Sequence, residues 1–381
     1  MPFEIEGLFP EFCRAVEKAG YKIPFPVQSE VIPHILSGKD LAVSSKTGSG
    51  KTLAFLLPII QRLTLVPEKG VSPTALILVP TRELALQVEE VGRCFAKSAK
   101  SKIKVQSVHG GVSINPQLKS LSRGAEILIA TPGRLIDITE KNGVDLSFIE
   151  IFVLDEADRM LNLGFRDELK IIMKMLPEVR QNLLFSATIK DSMKSSMPFL
   201  NDALFIDVEE SHKSADPVKQ ICYRVSVEGK GVLLRQLINE GGWKQVLVFA
   251  ASKRRADNIT RKLCRNGIKA EAFHGDKSQG ARIGALKRFK EGSIRVLVAT
   301  DLASRGLDIT ELPYVVNYEL PRSVSDYIHR IGRTGRAGVA GVAVTLLSED
   351  DEKQMKLIEK KTGVKVEYVD PESEQGKDNT R

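Results

Sequence analysis

Long apolar runs are missing from this sequence, and none approaches the roughly 20 residues that a helix needs to cross a bilayer. Its first residues, Met1 to Glu6, form neither a basic nor an apolar stretch, so no secretory leader is expected. Cysteine is scarce as well. Cys13, Cys94, Cys222 and Cys264 stand singly, without the spacing of a metal site or a redox pair. Four inert thiols in a reducing compartment are the expectation. There is no evident repeat and no long basic, glycine-rich or serine-rich extension.

What is present is ordinary globular composition over 381 residues, with 42% hydrophobic and 27% charged residues. That length exceeds one compact lobe and suits two domains, each able to bury a core. A net charge of +8 is compatible with a polyanionic partner, but does not by itself identify one.

Short β-branched runs alternate with amphipathic stretches along the chain. Strands are expected at Asp40–Ser44, Thr74–Val79, Lys104–Val108, Ile127–Ala130, Ile151–Leu154 and Leu183–Phe185. A second series follows at Gln245–Phe249, Ala270–Phe273, Arg295–Ala299, Tyr314–Tyr318 and Val342–Leu347. Unbroken runs of this kind suit parallel sheets buried on both faces. Arg82–Lys97, Lys253–Arg265 and Gln279–Lys290 have the length and spacing of crossover helices. The expected fold is α/β, as two tandem domains over 1–206 and 219–370. Between them, 207–218 is polar, contains Pro217 and reads as a linker, while 371–381 reads as a flexible tail.

Ser45 to Thr52 (SKTGSGKT) follows an expected strand and opens an expected helix, Thr52–Leu63. Gly48 and Gly50 permit backbone turns that aim N–H groups inward, with Thr47 and Ser49 in the same loop. Lys51 can reach the β- and γ-phosphates of a nucleotide, and the Thr52 hydroxyl can serve Mg²⁺. At the end of another buried strand stand Asp155 and Glu156. Asp155 suits a role in holding Mg²⁺, and Glu156 in activating the attacking water.

Asp155-Glu156-Ala157-Asp158 spells DEAD, and from Phe3 to Arg336 the chain resembles the DEAD-box RNA helicases. That resemblance implies two RecA-like domains, ATP and Mg²⁺ as cofactors, and RNA as partner. It assigns Gln28, in a block that begins Gly20-Tyr21, to the adenine edge, and Phe3 to packing on the base. Ser186-Ala187-Thr188 matches a motif that couples hydrolysis to work on RNA, and Asp158 and His329 join it in that coupling. RNA backbone contacts are implied for Arg82, Gly110, Thr131 and Arg134, and for Gln279, Arg282 and Thr300 in the second half. Asp308 is implied to meet the ATP ribose. His329 to Arg336 (HRIGRTGR) matches the last motif in full. Its Arg333 and Arg336 are three apart, so one helical face can present both to the γ-phosphate. Ser45, Ser304 and Glu319 depart mildly from the family pattern, and none removes an expected catalytic group.

The expected activity is RNA-stimulated ATP hydrolysis, coupled to lobe closure and local, non-processive separation of short duplexes. Single-stranded and short duplex RNA are the expected partners, with RNP proteins as further ones. A monomer in the bacterial cytoplasm is expected. An ATP-gated RNA clamp with little unwinding shares every motif. A DNA-directed motor is separated only by comparing stimulation by RNA and DNA.

Overall fold

The computed structural model describes residues 3–45, 48–65, 72–98, 102–189, 193, 197, 202–208, 218–301, 312–335, 341–364 and 366–370. Thr47, Asp308, Arg336, most of the expected linker and the expected tail lie outside them. The chain divides into two units, Met1–Glu210 and Ser211–Arg381.

The first unit holds β1 (Leu41–Ser44), β2 (Ala75–Leu78), β3 (Val105–Val108), β4 (Ile127–Ala130), β5 (Ile151–Asp155), β6 (Gln181–Ser186) and β7 (Leu204–Asp207). These form one sheet in the order β3-β4-β2-β5-β6-β1-β7, with every pairing parallel. Successive side chains point to opposite faces. Ile77, Ile129 and Val153 therefore enter one core, and Leu76, Leu128 and Leu154 the other.

Helices α1 (Pro10–Lys18), α2 (Pro26–Leu36), α3 (Lys51–Thr64) and α4 (Arg82–Ser98) supply Phe12, Val31, Leu56 and Val88 to the first core. Helices α5 (Asn115–Leu121), α6 (Pro132–Thr139), α7 (Ala157–Asn162) and α8 (Arg166–Met175) supply Leu121, Ile138, Met160 and Ile172 to the second. Each such apolar side chain contributes about 1.5–3 kcal/mol on burial. Both faces of the sheet are thereby covered, which leaves the strand ends to carry chemistry.

The second unit repeats the plan with β8 (Lys219–Arg224), β9 (Val246–Ala250), β10 (Ala270–Phe273), β11 (Val296–Thr300), β12 (Tyr314–Asn317), β13 (Val342–Leu347) and β14 (Glu367–Val369). Its parallel sheet runs β10-β11-β9-β12-β13-β8-β14. Around it pack α9 (Lys230–Glu240), α10 (Lys253–Arg265), α11 (Gln279–Lys290), α12 (Val324–Ile331) and α13 (Glu352–Thr362).

The expected strands are found to within one or two residues at most ends. Three were not anticipated: β7, β8 and β14. Asp207, read as the start of the linker, is the last residue of β7 and pairs in register with Ser44.

Candidate functional site

Strands β5, β6 and β1 are neighbours, and their C-terminal ends bring three motifs to one level. Ser44 is in register with Ser186, and Asp155 with Phe185. The Ser45 N–H donates to the Ser186 carbonyl at 2.9 Å, so the phosphate loop starts directly beside the Ser-Ala-Thr segment. Gly48 and Gly50 have φ of 78° and 91°, the left-handed region that glycine adopts freely. A Cβ on Gly50 would also lie 2.5 Å from Gln28 Nε2. Lys51 opens α3, is buried, and donates from Nζ to the Ser45 carbonyl at 2.6 Å. The Ser45 and Ser49 hydroxyls are 2.5 Å apart. Ser45, the departure from the family pattern, thus ties the loop across its own base.

Gln28 is buried and bridges two segments. Its Oε1 accepts from the Phe25 N–H at 2.9 Å and its Nε2 donates to the Gly50 carbonyl at 3.2 Å. One amide N–H and one lone pair remain for a base edge. Phe3 requires a correction. It is 1% exposed, packed in the core with Ile5, Leu8 and Phe12, and offers no free face for a base. The exposed rings in this segment are Tyr21 and Phe25, and Phe25 reaches Gly50. Sequence reasoning missed Phe25, although it directly precedes the helix that carries Gln28.

Asp155 is 3% exposed, and its Oδ1 accepts the Glu156 N–H at 2.9 Å. Burial drives its carboxyl up to about 7, the adjacent Glu156 charge adds to the rise, and the Lys51 charge opposes it. Glu156 caps α7 with φ 53°, a conformation uncommon outside glycine and often found at functional positions. Its carboxylate is paired with Arg159 one turn on, which fixes its direction. The Asp158 N–H donates to Ser186 Oγ at 3.2 Å, and Thr188 Oγ1 donates to Asp158 Oδ2 at 3.2 Å. Hydrogen bonds therefore join the acid segment directly to the Ser-Ala-Thr segment.

The remaining strands of the same edge, β3, β4 and β2, carry a different set. The Gly110 N–H faces the Thr131 hydroxyl at 3.4 Å. Arg134 Nη2 donates to the Val112 carbonyl at 2.9 Å, and its Nη1 has no hydrogen-bond partner among the described residues. Gly111, at φ 81°, lets the Arg82 guanidinium approach, since a Cβ there would lie 2.5 Å from Arg82 Nη1. Arg82, Gly110, Thr131 and Arg134 are thus gathered as one basic, donor-rich group beside the acid and phosphate-loop group.

In the second unit, Gln279 and Arg282 lie on the first turns of α11. Among the described residues, the Gln279 amide atoms find no partner, and Arg282 lies over Phe273 at 4.7 Å. Thr300 ends β11 and is buried. His329 is half-buried near the end of α12. Arg333 lies past the end of α12, and Arg336 lies outside the described residues. Helix α12 stops at Ile331, and Thr334 instead bridges to Leu312, whose N–H donates to the Arg333 carbonyl at 3.1 Å.

Residues 25–196 match the DEAD/DEAH box helicase family, and 229–338 match the helicase conserved C-terminal domain. The ATP-dependent RNA helicase RhlB of Pseudomonas syringae is 41% identical over 373 residues, which cover 96% of this chain and 94% of RhlB. The chain belongs to the DEAD-box helicase family. The DEAD-box ATP-dependent RNA helicase CshA of Streptococcus pneumoniae is 39% identical over 98% of this chain and 70% of CshA. Among solved structures, S. cerevisiae Dbp5 bound to RNA and ADP BeF3 superimposes with a TM-score of 0.85 at 31% identity. That match covers 97% of this chain and 96% of Dbp5. Mss116 bound to ssRNA and UDP-BeF gives 0.84 at 30% identity, over 96% of this chain and 79% of that one.

One residue of this DEAD-box protein was passed over in the sequence. Arg330 is 2% exposed and grips Asp301 with two bonds, Nε to Oδ1 at 2.6 Å and Nη2 to Oδ2 at 2.7 Å. Its Nη1 donates to Asn317 Oδ1 at 3.0 Å and to the Glu319 carbonyl at 2.6 Å, and the guanidinium lies over Phe249. Arg330 therefore joins the ends of β11, β12 and β9 to the helix that leads to Arg333. Removing one partner of a buried pair leaves the other uncompensated. Arg330→Ala is expected to cost about 3 kcal/mol in urea unfolding of the intact chain, and Arg330→Lys to recover only part of that. An unchanged unfolding midpoint would contradict this reading.

Asp155 carries a pH signature. In an unfolded chain its carboxyl titrates near about 3.9, and in the fold at about 7. Between those values the folded state keeps a proton that the unfolded chain has released. Stability from this group is complete below about pH 4 and lost as pH rises through about 7. Asp155→Asn, a permanently neutral mimic, should raise the Tm of the nucleotide-free protein at about pH 8, with a gain that vanishes toward about pH 4. A gain independent of pH would contradict the assignment.

Proposed function

We propose that this chain is an ATP-dependent RNA helicase that hydrolyses ATP when RNA is bound and separates short duplexes locally. One observation carries this reading. A single sheet edge holds the phosphate loop after β1, the Ser-Ala-Thr segment after β6 and the paired acids at β5, next to the basic, donor-rich group after β2, β4 and β3. ATP would lie against Gly48, Ser49, Gly50, Lys51 and Thr52, with Gln28 at the adenine and the Lys51 ammonium moved from Ser45 to the phosphates.

Mg²⁺ fits the residues present. Asp155 is a buried carboxyl whose charge Lys51 and the Glu156 N–H offset only in part, and Thr52 supplies a hydroxyl at the helix start. Such ions take one or two carboxylates and share the rest of their shell with phosphates and water. Asp155 and Thr52 would hold it, and it would neutralise charge on the phosphates. Glu156, aimed by Arg159, accepts the proton of the attacking water. Arg333 and Arg336 would stabilise charge that develops during phosphoryl transfer.

RNA and ATP both favour the closed arrangement, so each strengthens the other's binding. Because Arg82, Gly110, Thr131 and Arg134 suit phosphates and sugars, little base preference is expected. Strand displacement with duplexes of graded length tests the function. Separation should fall steeply with length and need ATP. ATP turnover with no displacement of even the shortest duplex would overturn unwinding as the activity.

A further inference from the structure

We propose that the groove between the C-terminal half of α4 and the start of β3 binds RNA that extends beyond the strand-end track. The inference rests on the functional reading above. The groove has a volume of about 500 Å³ and is lined by Arg93, Lys97 and Lys104, with Ala96 and Ile103 between them. Lys102 is exposed two residues before Lys104.

Three observations support it. First, position: β3 is the outermost strand of the sheet, and its far end leads into His109-Gly110-Gly111. Val105 and Gly110 are five residue steps apart, along β3 and the His109 that follows it, which is about 17 Å of path along the side of the unit. A chain leaving the Gly110 group down that side therefore runs into the groove.

Second, charge. Glu89, Glu90 and Glu126 are the nearby acids, set against Arg93, Lys97, Lys102 and Lys104, and Glu89 and Glu126 are engaged. Glu89 pairs with Arg93 at 2.5 Å and takes the Ser107 hydroxyl, while Glu126 accepts the Lys104 backbone N–H at 2.6 Å. Lys97 is exposed and has no ion-pair partner among the described residues. Among the described residues, the Lys104 ammonium is held only by the Arg123 carbonyl, at 2.9 Å. Positive charge thus exceeds negative charge around the groove.

Third, shape and chemistry. Arg93 is anchored to the Val105 carbonyl at 3.0 Å, yet its side chain is 61% exposed. Among the described residues no aromatic side chain lines the groove, so they offer cations to a phosphodiester backbone and no stacking to bases. That favours a flexible single strand, bound without sequence preference, over a folded partner with apolar anchors.

The experiment measures binding of the intact chain to two unstructured oligoribonucleotides. One just fills the strand-end track, and the other is longer by about 15 nucleotides, with separate 5′- and 3′-extended versions. Wild type should bind one extended strand about tenfold more tightly than the short one, with a steeper salt dependence. In Lys97→Glu/Lys104→Glu that advantage should disappear and the salt slope should drop by about one to two. Binding of the short strand and its stimulation of ATP turnover should stay as in wild type, and Lys97→Arg/Lys104→Arg should keep the advantage. An equal length advantage in the charge-reversed variant, or equal losses on both strands, overturns the proposal. So does a wild type that binds short and long strands alike. Failure of wild type to bind even the short strand overturns the functional reading itself, which separates the two failures.

Discussion

Glu156→Gln is expected to lower the RNA-stimulated kcat for ATP by about 10²–10⁴-fold, while leaving binding of ATP and RNA close to normal. The amide keeps the size and the hydrogen-bonding reach of the carboxylate but cannot take a proton from water. Glu156 is placed for that task by two features. It leaves the sheet at φ 53° immediately after the buried Asp155, and Arg159 holds its carboxylate from one turn away. Because binding does not require the proton transfer, the variant should accumulate a long-lived complex with ATP and RNA. Quench-flow measurement of a single turnover separates the two effects. A variant with normal turnover would remove Glu156 from the base position, and one that no longer binds ATP would make its role structural.

Arg333→Ala is expected to reduce kcat by about 10³-fold or more, with a much smaller change in ATP affinity, since such arginines act on charge that develops during phosphoryl transfer. The residue is in the second unit, at 6% exposure, just past the end of α12. Its backbone is fixed on both sides. The Arg333 N–H bonds the Arg330 carbonyl at 3.2 Å and its carbonyl takes the Leu312 N–H. Arg333→Lys should recover little, because an ammonium lacks the planar fork of a guanidinium. Parallel urea unfolding checks that the loss does not come from a weakened second unit. Equal falls in kcat and in ATP affinity would indicate a general loss of binding and contradict a role confined to the transition state.

The parts of the fold that could be read from the sequence were those with an unambiguous physical pattern. The fully buried strands β2, β4, β5, β9 and β11 are continuous apolar runs, which an all-parallel sheet covered on both sides demands. The unanticipated strands lack that pattern. Three of the four β7 side chains are exposed to solvent, Leu204 and Phe205 among them. β8 alternates irregularly as Lys-Gln-Ile-Cys-Tyr-Arg, and β14 has only three residues. β7 and β14 lie at sheet edges, where pairing with one sequence-distant neighbour decides the strand, and β8 is decided by pairing with β13 and β14, both distant in sequence.

The candidate site divides in the same way. Gly50-Lys51-Thr52 and Asp155-Glu156 could be identified because strand, turn and helix occur consecutively. The bond from Ser45 to Ser186, the hold of Arg330 on Asp301 and the burial of Phe3 are tertiary facts. Only Phe3 left a local signal, the apolar spacing of Phe3, Ile5, Leu8 and Phe12, which marks a segment that packs inward.

The central claim is that RNA and ATP act on one shared machine, and steady-state ATP turnover by the intact chain tests it most directly. Rates are compared without nucleic acid, with single-stranded RNA and with DNA of the same sequence. The account predicts a large rise with RNA, lost in Glu156→Gln and Arg333→Ala, and little rise with DNA. Equal turnover with and without RNA would contradict it.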